Sequence, residues 1–145
     1  MKVFIPVEVS DQAIEDFLIT TFESGLSDSW LGYKVRGSFS RKADNTRDYT
    51  DTLKGAGIDV FDAETGEAFY KCGADRITDD GWTDPDVIKL RKQRTIFDHV
   101  DIEWGLQIVA RKEPQLIHQL IDESYDADTC DRIMQYILFG EQIFG

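Results

Sequence analysis

The sequence has few of the residues on which small secreted, membrane-spanning or metal-binding proteins depend. It contains two cysteines and two histidines among 145 residues. A secreted domain held by disulfides normally has more cysteines at regular spacings, so we expect both thiols to be reduced. No stretch approaches the roughly 20 apolar residues that a membrane-spanning helix needs. The first residues also lack the apolar core of a signal peptide. These absences predict a soluble protein of the cytoplasm that does not enter a membrane.

The sequence also lacks the patterns that usually indicate catalysis or a cofactor. It has no nucleophile elbow, no glycine-rich phosphate loop and no spaced histidine pair for zinc. His99 and His118 stand apart from the cysteines, and Cys72 has no histidine near it in sequence. The pairs of acidic residues fit helix caps and solvated loops better than a calcium loop. The sequence therefore predicts no catalytic residue, no metal and no cofactor, and a protein that acts by binding.

The apolar periodicity predicts a single α+β domain over residues 1–145. Residues 2–9 alternate as a strand does, and residues 11–24 have a helical apolar stripe behind Ser10, a good N-cap. Residues 30–39 indicate a strand and residues 58–70 a hairpin, whereas residues 84–97 fit a helix or, as we favour, a strand. Further helices begin near Asp98, Pro114 and Asp126. We expect an antiparallel sheet from the middle of the chain, packed against the N-terminal helix and the C-terminal helices. The expected core comprises Phe17, Phe22, Trp104, Ile108, Leu120, Ile137 and Leu138.

Charge is distributed unevenly along an acidic chain. The formal net charge is −12, which argues against direct binding to nucleic acid because phosphate contacts need a basic surface. Residues 34–47 nevertheless contain five cations and one acid, and residues 89–94 contain four cations and no acid. We call these two stretches the first and second basic segments. They fit either solvated strand faces whose cations pair with neighbouring acids, or a local anion site.

One group of residues in and beside the basic segments has the chemistry of a nucleotide site. Aromatic side chains can stack on a planar base while guanidinium groups hold its phosphates. The same alternation also describes an ordinary amphipathic strand with its rings in the core. A pocket would require the two basic segments to lie next to each other. The candidate ligand-binding residues are Trp30, Tyr33, Arg36, Arg41, Arg91 and Arg94.

Two further features predict association with other proteins. The C-terminal residues 137–144 concentrate more apolar surface than one short helix and tail readily bury, which predicts a homo-oligomer. Residues 122–131 are strongly acidic and resemble the charge of nucleic acid. A basic host protein is therefore an alternative partner to a nucleotide-like small molecule.

Two stretches resemble an uncharacterised family of small proteins from bacteriophages and prophages. DFLITTFESGLSDSWLGY is similar to a helix followed by an acidic-Gly-Gly turn and an aromatic pair, with Ser24 in place of the first glycine. DADTCDRIMQYILFGEQIFG is similar to a helix that ends in Phe-Gly-Glu-x-x-Tyr-Gly, with Phe144 in place of tyrosine. The resemblance implies a viral origin, and small accessory phage proteins commonly counter host defence by stoichiometric binding. It implies no mechanism. A minor virion protein is a further alternative.

Overall fold

The computed structural model describes residues 1, 3, 5–36, 39–69 and 96–145. In this part of the chain helix α1 (Asp11–Glu23) is followed by a 3₁₀ turn (Leu26–Ser29) and strand β1 (Leu31–Val35). A second 3₁₀ turn (Tyr49–Lys54) leads to β2 (Ile58–Asp62), and β3 (Ile96–Phe97) precedes the last three helices. These are α2 (His99–Lys112), α3 (Pro114–Ile121) and α4 (Ala127–Phe139). The fold is α+β, as predicted.

Polar caps set the helix boundaries, because the first backbone N–H groups of a helix need acceptors. The Ser10 hydroxyl accepts a hydrogen bond from the N–H of Ala13, and Gly25 follows α1 with a left-handed φ of 83°. Asp98 and Asp126 each form a capping box at the start of α2 and α4. Gly140 ends α4 with a φ of 73°. These ends agree with the predicted helix starts and stops.

The described strands form an antiparallel sheet in the order β1-β2-β3. Gly32 lies opposite Phe61, and Ile58 lies opposite Phe97. Beyond β2 the chain turns at Gly66, and Phe69 donates its N–H to the carbonyl of Val60, so the predicted hairpin is present as far as residue 69. Successive side chains of a strand point to opposite faces. The inner face carries Leu31, Tyr33, Val35, Ile58, Val60 and Phe97, and the outer face carries Gly32, Lys34, Arg36, Asp59, Phe61 and Ile96.

One buried cluster draws on all four helices and on the sheet. The expected core residues belong to it except Trp104, which is only half-buried. The C-terminal apolar residues are also inside: Ile137, Leu138 and Phe139 are at most 2% exposed. Among the residues from which we predicted an oligomer, only Ile143 is substantially exposed, at 38%. Most of this apolar surface is buried within the chain and therefore gives no reason to expect an oligomer. The oligomeric state stays a prediction.

Helices α2 and α4 approach closely because Gly105 has no side chain. A Cβ atom at Gly105 would stand 2.4 Å from Cγ1 of Ile137 and 2.7 Å from its Cα. Carbon atoms in contact normally lie about 3.5–4.0 Å apart. Glycine costs helix stability but permits this packing, which holds α4 against the rest of the core.

The strand predicted at residues 2–9 is not formed at residues 5–9, and residues 2 and 4 lie outside the described part of the chain. Residues 5–9 have no regular structure, and Ile5 and Val7 are exposed. The alternation is that of a strand, but this segment has no partner in the described residues. The choice between helix and strand for residues 84–97 is resolved only for β3, since residues 70–95 lie outside the described part.

Candidate functional site

The cations of the first basic segment mostly contact acidic groups of the same chain. Arg36 donates from Nε to Oδ1 of Asp59 at 2.9 Å. Lys42 pairs with the buried Glu15, and this hydrogen bond raises the pKa of the lysine. Arg47 lies 3.7 Å from Glu23 and donates to the hydroxyl of Tyr49 at 3.0 Å. These contacts favour the interpretation of the segment as a set of locally balanced charges.

Two cations of this segment have no carboxylate contact in the described part of the chain. Arg41 is exposed and donates only to the carbonyl of Asn45, at 3.4 Å. Lys34 is exposed on the outer face of the sheet, opposite Asp59 in the β1–β2 register. Arg91 and Arg94 lie outside the described residues, so the adjacency of the two basic segments stays a prediction.

The aromatic rings expected to stack on a base are packed against the core. Trp30 is 5% exposed, and its indole N–H donates to Oδ1 of Asp131 at 2.8 Å. The Trp30 ring stacks on Phe144, with centroids 5.1 Å apart and planes inclined by 11°. Tyr33 is half-buried on the inner face, 4.7 Å from the ring of Phe22. The placement of both rings favours the alternative that the sequence left open, an amphipathic strand with its rings inside.

Strand alternation explains why the Tyr33 ring does not form one site with Lys34 and Arg36. The odd-numbered residues Leu31, Tyr33 and Val35 direct their side chains to the core. The even-numbered residues Lys34 and Arg36 direct theirs to the outer face. Neighbouring residues of a strand cannot place their side chains on the same face.

The aromatic ring that does share a face with the cations belongs to Phe61. This residue is half-buried and lies outside the core cluster. Its ring covers Gly32, where a Cβ atom would stand 2.2 Å from Cε2 of Phe61. Ile96 covers Gly57 in the same way, with Cγ2 only 2.1 Å from the position of a Cβ. The two glycines therefore let an aromatic and an aliphatic side chain lie close against the outer face.

Asp59 orients Arg36 on the same face of the sheet as this ring. Arg36 forms its hydrogen bond to the carboxylate through Nε, and the arginine side chain is 50% exposed. Among the described residues its two terminal nitrogens form no hydrogen bond to a carboxylate. A guanidinium held at Nε keeps the paired donors that bind phosphate in a bidentate manner. The outer face thus combines a ring, an oriented arginine and the exposed Lys34.

A depression of about 330 Å³ lies where the first 3₁₀ turn meets the start of α4 and the C-terminal tail. Its central carboxylate, Asp131, accepts from Ser27 at 2.5 Å, from Trp30, and from Gln135 at 2.8 Å. Arg132, the cation of the lining, pairs with Glu113, whereas the carboxylate of Asp128 is exposed. Asp131 and Arg132 are therefore engaged within the chain.

The same contacts join residues 16–33 to residues 126–145, the two stretches from which we predicted a phage family. Ser27 and Trp30 come from the first stretch, and Asp131 and Phe144 come from the second. Gln135 extends the connection by accepting from the N–H groups of residues 143 and 144, each at 2.8 Å. We call Asp131 and Gln135, with the groups that they bind, the tail clamp. The residues of the two stretches that take part in the tail clamp therefore have a structural role.

The cysteine of the described residues, Cys130, lies in the core. Cys130 is fully buried, and burial raises the pKa of its thiol to about 12. A thiol of this kind is a poor nucleophile. Within the described ranges no three His, Cys, Asp or Glu side chains are grouped to hold a metal ion. The same part of the chain contains no helix that is long and apolar enough to cross a membrane.

A separate acidic patch surrounds the turn between α3 and α4. Its carboxylates are exposed and comprise Asp122, Glu123, Asp126 and Asp128. Hydrogen bonds from Ser124 lower the pKa of Asp122, and those from Thr129 lower the pKa of Asp126. Both groups are thus ionised at neutral pH, and the patch is strongly negative.

Comparison of the chain with models of known protein families, with curated proteins and with solved structures gave no match.

Proposed function

We propose that the chain is a phage-encoded, non-catalytic binding protein that captures a nucleotide-derived signal of a host defence system on the outer face of its sheet. The observation that supports this proposal is the combination of Phe61, Arg36 and Lys34 on one face. The ring offers a surface for a base, and the cations offer donors for phosphate. The phage resemblance supports the biological setting but specifies no ligand.

The energetics favour a ligand that carries both a base and a phosphate. Stacking a base on an aromatic side chain contributes about 1–3 kcal/mol. Arg36 adds charge-assisted hydrogen bonds, but Asp59 beside it repels a second negative charge. Neither group alone gives tight binding, so a ligand that contacts both is preferred over inorganic phosphate or a free base.

The test is capture of a nucleotide from a bacterial extract. The purified protein is incubated with the extract, washed and heated, and the released compounds are identified by mass spectrometry. We expect a specific nucleotide from the unmodified protein and a loss of about tenfold or more in the Arg36→Ala and Phe61→Leu variants. Lys54→Ala is the matched control, because Lys54 is a 76% exposed cation of the second 3₁₀ turn and should not affect capture.

Two results would refute this proposal. One is an unmodified protein that releases no nucleotide. The other is equal capture by Arg36→Ala, Phe61→Leu and the control, which would place any ligand elsewhere. Arg36→Ala should change the free energy of unfolding by only about 0.5 kcal/mol or less, since the residue is exposed. A folding defect therefore does not account for a loss of capture in Arg36→Ala.

The acidic patch supports a second candidate function, inhibition of a basic host protein by imitation of nucleic acid. The four exposed carboxylates have no cation partner among the ion pairs of the described residues. Long-range attraction to a basic partner should weaken with added salt. Glu123→Gln with Asp128→Asn should slow association with such a partner, whereas Arg36→Ala should not. This pattern distinguishes the second candidate from the first.

A further inference from the structure

Residues 5–9, which we call the arm, have the pattern of a strand without a strand partner. Ile5, Val7 and Val9 alternate with Pro6 and Glu8. Ile5 is 78% exposed and Val7 is 54% exposed, while Val9 packs partly against the core. Apolar side chains at alternate positions in an exposed, irregular segment indicate a surface that is completed by pairing.

The sheet offers an edge that fits the arm. Arg36 donates its N–H to the carbonyl of Gly57, and Ala63 donates to the carbonyl of Trp30. In the β1–β2 register the even-numbered residues of β1 therefore direct their backbone groups toward β2. The odd-numbered residues Leu31, Tyr33 and Val35 direct theirs away from it. Within the described residues no strand pairs with this edge of β1.

Pro6 and the apolar residues select the same pairing. Proline has no N–H and is tolerated only where that position points away from the ladder. Pro6 points outward if the odd-numbered residues of the arm form the hydrogen bonds. Directly opposite residues of an antiparallel pair lie on the same face. Ile5, Val7 and Val9 then join Leu31, Tyr33 and Val35 on the inner, apolar face.

To pair with β1 of its own chain, the arm would have to reverse direction at Ser10 and run back along α1. Only Ser10 separates Val9 from α1, and its backbone is extended (φ −66°, ψ 156°) and held by the hydrogen bond from Ala13. Tyr33, at the centre of β1, packs against Phe22 near the far end of α1. That helix of 13 residues is about 20 Å long. Return to the same chain would require a reversal at Ser10 that breaks the cap.

We propose that residues 5–9 add as an antiparallel strand to β1 of a second copy of this chain. The arm and β1 are both five residues long, so three odd-numbered residues of one face three of the other. Reciprocal exchange of two arms gives a closed, two-fold dimer. The ladder hydrogen bonds and the buried apolar side chains together stabilise the association.

The test compares two proline substitutions at adjacent positions of the full-length protein. Val7→Pro removes an N–H that the pairing uses, whereas Glu8→Pro removes an N–H that points outward, as at Pro6. Sedimentation velocity over a wide range of protein concentration gives the dimer dissociation constant. We expect Val7→Pro to weaken the dimer by about tenfold or more and Glu8→Pro to leave it nearly unchanged. Hydrogen exchange at the amides of Tyr33 and Val35 should slow on dimerisation of the unmodified protein and stay fast in Val7→Pro.

Three results would overturn the proposal. A protein that is monomeric at every concentration excludes the exchange, and if the Tyr33 and Val35 amides are nevertheless protected, the arm pairs with its own chain. A dimer that withstands Val7→Pro and leaves these amides fast uses another surface. Equal weakening by both prolines would show that the arm contributes without forming the ladder described.

Discussion

Substitution of Gly105 by alanine sets two effects of known size against each other. Alanine favours an isolated helix over glycine by about 1 kcal/mol. At this position, however, the added methyl would stand 2.7 Å from the Cα of Ile137, which no side-chain rotation relieves. To restore normal contact α2 and α4 must separate by about 1 Å, which disturbs the packing of α4 along its length.

The packing effect should exceed the propensity effect. Overfilling a well-packed core costs about 1–3 kcal/mol, and a clash with backbone belongs at the upper end of that range. After the gain in helix propensity we expect Gly105→Ala to lower the free energy of unfolding by about 2 kcal/mol. For a chain of this size that corresponds to a fall in Tm of about 4–8 °C.

The assay is urea denaturation followed by circular dichroism, with thermal melting as a second measurement. Ala110→Gly is the control, because Ala110 is exposed on the same helix and should lose only the propensity difference of about 1 kcal/mol. A stabilised Gly105→Ala variant would show that the two helices are not in close contact there.

Two further predictions concern the end of the chain that carries α4. Leu138 is 1% exposed, so Leu138→Ala should cost about 2–5 kcal/mol, and an unchanged urea midpoint would contradict the position of this side chain in the core. The lowered pKa of Asp126 means that its contribution to stability is present above about pH 4 and is lost as pH falls through the folded-state pKa. Asp126→Asn keeps the cap but removes the titrating group, so its stability should fall less steeply below pH 4 than that of the unmodified protein; identical acid profiles would exclude this role.

Local signals predicted the helices well. Ser10, Asp98, Pro114 and Gly140 act within one turn of the residues whose backbone groups they satisfy, so the sequence alone locates these ends. The burial of Leu138 also follows from a local apolar stripe. Trp104 has the same periodicity yet remains half-buried, because periodicity does not specify how far a neighbouring element covers a helix.

The candidate site was harder to predict because it depends on pairing between distant residues. The parity of Tyr33 and Arg36 is visible in the sequence and already separates the ring from the cation. The position of Phe61 on the same face as Arg36 is not visible in the sequence, because it depends on the β1–β2 register. The signal that could have pointed to it is Gly32 within a strand, because glycine there often marks the close approach of another group. The arm shows the opposite case. Its strand-like alternation is clear in the sequence, but no strand of the described residues pairs with it.

The tail clamp has a consequence for synthesis of the protein on the ribosome. Trp30 and its acceptor Asp131 are 101 residues apart in the sequence. At translation rates of about 5–20 residues per second, roughly 5–20 s pass between synthesis of these two residues. Throughout that interval the indole lacks both Asp131 and the ring of Phe144. The nascent chain therefore displays a large apolar side chain until residues 131–144 emerge, and this part of the core forms only after their synthesis.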